Sequence, residues 1–570
     1  MPDEPRVLWN VRIPMRDGIA LANNVYLPPT GLAGGPYPVI FSRNPYNRQV
    51  WADALRWRFF TEQGYAFVTQ DCRGRFDSDG VFYPFFDDGP DAYDSIEWIA
   101  EQPWCTGKIG MMSGSYGGWV QWAAAREKPP HLTTLVSSCA AGKWGEELPW
   151  DRGGASFVMF TWLYMMVGHS MQPTAHVDWA RVFRHLPLRT LDKAMGKEVP
   201  AWQDWLDHPG LDKYWLEGRL DDDFAELDIP ALHLTGWYDG DQPGEMFFWD
   251  GMLRSKAAKW QHLLVGPWTH GGVFKPTQSH RDNDFTPKSV ADMNEVHLRW
   301  FDYWLKGIDN GLIDEPPVRY FYTGINEWRT DSTWPPTERT ETSLYLRSGG
   351  AANTALGDGA LSGTAPTTAE PADVYRYDPE AVANVMEIDF FNGEGNNSVR
   401  PADARPLEMR DDLLVYTSEP VTEALYVSGR PSVVLHASSD CPDTDFVVGL
   451  ADVEPDGRSV PLSRDEDHQW LATQGGRIRA RFREGLDKEV FMTPGEIYEF
   501  RIQLRDVAHV FKPGHRIRLT VMSWDFPAMA RNLNTDESIA DGTTIRVATN
   551  SVHHTEAAPS RVILPVESVS

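Results

Sequence analysis

Lys108-Ile109-Gly110-Met111-Met112-Ser113-Gly114-Ser115-Tyr116-Gly117-Gly118-Trp119 is the run that decides how the chain folds. Its apolar start, Ile109 to Met112, reads as a strand and empties into a cluster of tiny residues. A helical pattern follows at once over Tyr116 to Glu127, with Trp119, Val120, Trp122 and Ala123 to Ala125 available for packing. A serine on so tight a strand-to-helix turn is a nucleophile elbow: the turn strains the backbone at Ser115 and lifts its hydroxyl above the sheet. That geometry requires small residues two before and two after the serine, here Ser113 and Gly117. The usual G-x-S-x-G spacing thus carries Ser in place of its first Gly. Taken alone, the run also fits a small-residue loop of any α/β protein, so the flanking chain must decide.

Outward from this run, strands and helices alternate. Val7 to Ile13 and Ile19 to Leu27 read as antiparallel strands joined at Arg16-Asp17-Gly18. Pro38 to Phe41 is a short buried strand that ends in the loop Ser42-Arg43-Asn44-Pro45-Tyr46. Trp51 to Gly64 reads as one helix, Tyr65 to Gln70 as a strand and Asp87 to Glu101 as another helix. Leu132 to Val136 is the strand after the elbow helix. From Cys139 to Ile229 the alternation stops and aromatic, helical patterns take over, as in a cap inserted into the sheet domain. Strands resume at Ala231 to Thr235 and at Gln261 to Val265, the last clear one, and Glu295 to Leu305 is an amphipathic helix.

Past Pro335 the texture changes. Gly349 to Thr368 reads as a linker or loose loops. Short alternating runs follow: Leu413–Tyr416, Ser432–His436, Asp445–Val453, Val490–Leu504, Ile517–Met522, Thr544–Ala548 and Ser560–Leu564. Runs of this kind between Gly and Pro turns indicate an all-β sandwich or jelly roll. The expected fold class is α/β: an α/β-hydrolase domain in two parts (1–141 and 229–345), a helical cap insertion (142–228) and a C-terminal all-β jelly-roll domain (346–570).

Composition narrows the function classes. The net charge of -28 argues against nucleic acid and anionic membrane as partners. The four cysteines show no C-x-x-C spacing, so neither a metal site nor a redox motif is indicated, and no cofactor is expected. The start, Met1-Pro2-Asp3-Glu4-Pro5, has no basic or apolar region of a signal peptide. No apolar run nears the ~20 residues that span a bilayer. A cytoplasmic enzyme is the expectation. The 24 tryptophans mostly suit cores, with some left for an aromatic pocket.

A serine nucleophile needs a base to take its proton and a carboxylate to orient that base. In a parallel sheet such groups collect at the carboxyl ends of strands. Asp239 ends the run Gly236-Trp237-Tyr238-Asp239 after one strand, and His270 lies in Gly266-Pro267-Trp268-Thr269-His270-Gly271-Gly272 after the next. Ser, Asp, His is also the chain order of α/β-hydrolases. Each residue has an ordinary alternative: Asp239 as a helix N-cap, Asp241 as a rival carboxylate, His270 as one of 16 histidines. Agreement in order and placement favours the triad. For the oxyanion, the Tyr116 N–H is one donor. The second is expected from the loop after Phe41, where Tyr46 either offers its hydroxyl or simply packs after Pro45. Loss of one such donor costs about 2.7–4 kcal/mol of barrier.

These residues together resemble a family. Asn44-Pro45-Tyr46, Asp71-Cys72-Arg73-Gly74, the Ser115-Tyr116 elbow and the Asp239 and His270 loops are similar to the CocE/NonD hydrolases, relatives of cocaine esterase, α-amino-acid ester hydrolases and X-Pro dipeptidyl-peptidases. Ser523-Trp524-Asp525-Phe526-Pro527 and Arg531-Asn532-Leu533-Asn534-Thr535 look like that family's late jelly-roll signature. The resemblance spans essentially the whole chain. It implies Ser115 as nucleophile, His270 as base, Asp239 as orienting acid, and the Tyr46 hydroxyl with the Tyr116 N–H as oxyanion hole. A small-molecule ester or amide would be cleaved through an acyl-enzyme.

Family members that require a free α-amino group hold it with carboxylates, partly just after the catalytic Asp. Here Asp239-Gly240-Asp241-Gln242 supplies only Asp241 for that alternative, an X-Pro dipeptidyl-peptidase or α-amino-acid ester hydrolase. A third reading, a carbohydrate-binding protein with a dead site, is disfavoured by the intact Ser, Asp, His set. Trp144, Trp150 and Trp162 are expected as pocket walls. Acyl and leaving groups are not legible, and a homo-oligomer is left open.

Overall fold

The computed structural model describes residues 4–29, 35–174, 176–385, 403–462 and 476–568. Met1 to Asp3, on which part of the signal-peptide expectation rests, lie outside them. In chain order the first half contains β1 (Arg6–Pro14), β2 (Ala20–Leu27), β3 (Tyr37–Asn44), α1 (Arg48–Ala54), α2 (Trp57–Glu62), β4 (Ala66–Asp71), α3 (Asp88–Ala100), β5 (Cys105–Gly114), α4 (Tyr116–Glu127) and β6 (Leu132–Ser138). A small hairpin, β7 (Trp150–Asp151) and β8 (Gly154–Ala155), leads into α5 (Phe157–Met166), α6 (Trp179–Arg184), α7 (Leu191–Ala194), α8 (Pro200–Asp207) and α9 (Lys213–Gly218). The chain then returns through β9 (Ala231–Tyr238), α10 (Gln242–Met252), β10 (Gln261–Thr269), α11 (His270–Phe274), the hairpin β11 (Ser279–His280) and β12 (Asn283–Asp284), α12 (Met293–Lys306), β13 (Val318–Tyr322) and β14 (Glu327–Asp331).

Ten of these strands form one sheet in the order β1-β2-β4-β3-β5-β6-β9-β10-β13-β14. From β4 to β13 every neighbouring pair is parallel. β9 and β10 are buried along their length and β5 from Ile109 onward, as expected where helices cover both faces. Trp119 and Trp122 of α4 pack on one face, and Trp300 and Phe301 of α12 on the other. Parallel order sends the ends of β3, β5, β9 and β10 to one edge of the sheet, and that edge carries the site.

Among the described residues, the second half, from Arg339 onward, holds a separate sheet system of fifteen strands. Its pairs are mostly antiparallel: Arg339–Arg347 with Arg561–Glu567, Ser432–Ser439 with Tyr498–Gln503, and Asp445–Val453 with Arg516–Met522. Its core is built from residues such as Leu346, Val433, Phe446, Phe500 and Leu519.

Several boundaries differ from the sequence reading. Trp51 to Gly64 is two helices, because Arg56 between them takes a left-handed backbone (φ 58°) while its guanidinium reaches Asn294 Oδ1 at 2.6 Å. The β10 strand is not the last of the first sheet, since β13 adds parallel to it and β14 antiparallel to β13. Gly349 to Thr368 is mostly loop rather than a linker, and it is tied to the sheet: Ala360–Ser362 pairs with the Arg339–Arg347 strand, and Asp358 accepts from the Gly349 and Ala351 amides. The expected strand Val490–Leu504 begins only at Tyr498, after a turn at Gly495 (φ 84°). The one expected at Thr544–Ala548 begins only at Ala548, because Glu537 holds the Thr543 and Thr544 amides in a loop.

Candidate active site

Ser115 sits between β5 and α4 with φ 60° and ψ -128°, a conformation that L-residues adopt only under constraint. The constraint is local. Its N–H donates to Ser138 O at the end of the neighbouring β6 (3.0 Å), while its carbonyl accepts the Gly118 and Trp119 amides. Tyr116 opens α4, so its N–H lies among the helix amides with no intrahelical acceptor. The Tyr116 side chain is tied down away from the site: its hydroxyl donates to Asp88 Oδ2 (2.6 Å) and accepts the Phe85 amide (3.0 Å). Arg43, buried, binds Asp88 and Asp91 from behind. The turn tolerates Ser113 because Gly117 has no side chain: a Cβ there would lie 2.2 Å from Ser113 Oγ.

Asp239 follows β9 and is fully buried. Its Oδ1 accepts from His270 Nδ1 at 2.8 Å and from the Asp241 amide at 3.0 Å, and its Oδ2 accepts from the Thr235 hydroxyl at 2.8 Å. The N-cap position of α10 belongs to Asp241 instead. Asp241 is also the weaker rival for the imidazole, with its carboxylate 3.9 Å from His270 Nδ1. His270 begins α11 directly after β10. Burial by itself lowers its proton affinity; Cys139 and the hydrogen bond to Asp239 raise it by more, and His270 stands well above the usual histidine range. Burial pushes the Cys139 thiol up to about 12, so it is neutral and the Asp239 carboxylate is the charge that matters. Ligand atoms of Cys139, Asp239 and His270 come within 4.8 Å of one another, the spacing that could hold a metal ion. The Asp239–His270 hydrogen bond already uses two of the three.

The half-buried Tyr46 lies in the loop after β3. Its hydroxyl accepts from Trp162 Nε1 at 3.1 Å and is within hydrogen-bonding reach of Ser115. Burial raises the phenol above its ordinary value, so it keeps the proton that an oxyanion donor needs. The loop is held by Arg75, which donates to Pro45 O (2.9 Å), to Met166 O (2.6 Å) and to Gly168 O. Burial lowers that guanidinium to about 10.

A cavity of about 760 Å³ opens over these residues. Tyr46, Trp51, Ser115, His270 and Phe274 line it; Glu147, Met159 and Trp162 come from the stretch between β6 and β9, and Arg430, Arg477 and Arg505 from the C-terminal half. Asp241 lines it as expected. Trp144 and Trp150 do not. Trp144 is buried against Phe85 (ring centroids 3.7 Å apart), and Trp150 is buried with its Nε1 on Trp205 O. Aromatic content marks a wall only where a ring meets the void, and these two fill the core. Sequence reasoning missed Thr235, Glu147 and Arg505. Thr235 lies on β9 four residues before Asp239, a spacing that could have been noticed; the other two have no local signal.

A parallel sheet with a strained serine on the turn after a central strand is the plan of an α/β-hydrolase. Residues 17–272 match the model of the X-Pro dipeptidyl-peptidase (S15 family), and residues 310–563 that of the X-Pro dipeptidyl-peptidase C-terminal non-catalytic domain. The chain is 35% identical to the cocaine esterase of Rhodococcus sp. (strain MB1 Bresler), covering 98% of both. The solved structure of an α-amino acid ester hydrolase is similar at a TM-score of 0.82 and 26% identity, over 99% of this chain and 97% of that one. An aminopeptidase from the marine sediment archaeon Thaumarchaeota archaeon has a TM-score of 0.84 at 24% identity, over 99% and 96%, a likeness of fold alone. The chain belongs to the CocE/NonD family of serine hydrolases. It is an enzyme, a hydrolase of the serine esterase class.

Proposed function

We propose that the protein cleaves small-molecule carboxylic esters through an acyl-enzyme formed on Ser115. His270 takes the Ser115 proton through Nε2, its Nδ1 being engaged by Asp239, and the Ser115 oxygen attacks the acyl carbon. The Tyr46 hydroxyl and the Tyr116 N–H stabilise the oxyanion. The proton passes from His270 to the leaving alcohol; water, activated in turn by His270, releases the acid. The observation that carries this reading is the 2.8 Å contact from His270 to Asp239 beside the cavity that both His270 and Ser115 line. Ser115→Ala should abolish turnover of p-nitrophenyl acyl esters and labelling by a fluorophosphonate with the unfolding temperature unchanged. Turnover near the wild-type rate sinks the assignment.

Residues 142–228 act as a cap over the edge of the 1–141 and 229–345 hydrolase domain, and 346–570 form a jelly roll that completes the pocket. The shared lining of the cavity supports this division. A cytoplasmic location fits four cysteines that are all buried thiols. Among the described residues, no helix is long and apolar enough to cross a membrane.

One observation favours a second reading, recognition of a free α-amino group. Glu147 lies in the cavity close enough to Asp241 that burial, and then the Asp241 charge, raise its carboxyl well above the usual range. Such a pair could hold an ammonium, although Arg505 opposes it from the other side. Rates on aminoacyl and plain acyl nitrophenyl esters separate the readings; equal rates reject the second.

A further inference from the structure

The loop that carries the buried carboxylate does not stand on its own half of the molecule. Leu504, Arg505 and Asp506 form the turn between the strands Tyr498–Gln503 and Val507–Phe511 of the C-terminal half. From that turn Arg505 Nη1 donates to the backbone carbonyl of Asp239 at 2.7 Å and to that of Gly240 at 3.0 Å. One residue on, the Gln242 side chain and the Asp506 backbone exchange two hydrogen bonds, Nε2 to Asp506 O at 3.0 Å and Asp506 N to Oε1 at 3.1 Å. The turn itself is rigidly held. The Asp506 carboxylate accepts from Arg430 Nε and Nη2 at 2.9 and 2.6 Å on one oxygen, and from Trp334 Nε1 at 3.1 Å on the other. Gln242 and Asp506 are buried, so these bonds are made away from water.

We infer that Arg505 is a positioning residue for catalysis: it fixes the peptide of Asp239 and thereby the carboxylate that orients His270. This rests on the triad reading above. The segment that contributes it matches a domain described as non-catalytic, yet four hydrogen bonds from its Arg505-Asp506 turn reach the 239–242 loop. Asp239 sits on the turn between β9 and α10, where its carbonyl accepts a 3.2 Å bond from the Gln242 amide, and Arg505 adds a shorter one to it and a second to the Gly240 carbonyl. A guanidinium donor at that place supplies what the sheet cannot, and a displacement of the Asp239 peptide of even half an ångström would misalign the carboxylate with Nδ1.

The pH profile of the reaction separates this role from a mere charge effect. The groups facing His270 are Asp239, Asp241, Cys139 and Tyr46. Removing a nearby cation without moving Asp239 would strengthen proton binding by His270 and shift the acid limb of kcat/KM upward. Loosening Asp239 weakens proton binding and shifts it downward.

The test uses the full chain, Arg505→Met and Arg505→Lys, and an uncharged p-nitrophenyl acyl ester, so that no charge on the substrate reports on Arg505 directly. Expected for Arg505→Met are a fall in kcat of ten-fold or more, little change in KM, and an acid limb moved to lower pH. Arg505→Lys, whose ammonium can occupy the single donor point shared by the two carbonyls, should recover most of the loss. Unchanged kcat, an acid limb moved upward, or a loss confined to KM would overturn the inference. Should Arg505→Met be too unstable to assay, Arg505→Gln is read by the same limb, downward for the inference and upward or unmoved against it. Wild-type turnover that Ser115→Ala abolishes is measured in parallel. Failure there removes the triad reading itself, whereas a live triad with an indifferent Arg505 removes only this inference.

Discussion

Gly117→Ala, made with and without Ser113→Gly, probes how the elbow holds a serine where its motif usually has glycine. A Cβ at 117 would lie 2.2 Å from Ser113 Oγ and 2.7 Å from Ser113 Cβ; its next neighbour is Arg43 O at 3.2 Å. The Ser113 hydroxyl cannot simply rotate away, because it accepts a 2.9 Å hydrogen bond from Trp51 Nε1. Overpacking of this kind costs roughly 1–3 kcal/mol. Alanine for glycine in a helix returns at most about 1 kcal/mol, so a net loss of about 1–2 kcal/mol is expected. Ser113→Gly alone gives up the Trp51 bond, about 1 kcal/mol. In the double variant only the 3.2 Å contact with Arg43 O remains, which a small shift relieves. The two changes should therefore couple by about 1–3 kcal/mol in the stabilising direction. The assay is the thermal transition followed by tryptophan fluorescence, with ester turnover measured beside it. At about 2–4 °C per kcal/mol for a domain of 150–250 residues, Gly117→Ala should lose roughly 2–8 °C. Ser113→Gly should then cost nothing further or restore part of the loss. Additive shifts, or no shift for Gly117→Ala, refute the steric account.

Tyr46→Phe should lower kcat by about 10²–10³-fold with KM little changed, since a hydroxyl aimed at the oxyanion acts in the transition state; a kcat within a factor of three of wild type removes Tyr46 from the oxyanion hole. The pH profile follows from His270, whose conjugate acid is held above its ordinary 6.5. The base works only when neutral, so kcat/KM should rise through an acid limb above that value, and Asp239→Asn should shift the limb down while cutting kcat. The same raised value contributes stability that is full below the unfolded histidine value and is lost as pH climbs through the folded one.

The site was more legible than the fold around it, for a physical reason. Ser115, Asp239 and His270 each lie within a few residues of an apolar strand, and parallel order brings such ends to one edge whatever the distance along the chain. Local pattern and tertiary position then carry the same information. Where a residue's role depends on what packs against it, the sequence is silent. Trp144, Trp150 and Trp162 look alike in composition, but only Trp162 meets the cavity and Tyr46. Arg505 lies 266 residues from Asp239, in a turn with no motif of its own. Arg56 breaks a helix because its guanidinium is held by Asn294, a partner that no periodicity in Trp51 to Gly64 could reveal.

The bonds around Tyr46 have a mechanical consequence. The loop bearing Tyr46 is joined to the C-terminal end of α5 by the Arg75 guanidinium, and its hydroxyl is aimed by Trp162 of the same helix. Were α5 to swing off the sheet edge and admit a bulky ester, Trp162 and the Met166 and Gly168 carbonyls would leave with it. Tyr46 would then lose both its anchor and its orientation. On the proposed role of Tyr46, an open gate would be a disarmed one: the donor would be cocked only while the roof is shut, so substrate would enter either through the standing mouth of the cavity or at the cost of a temporarily idle enzyme.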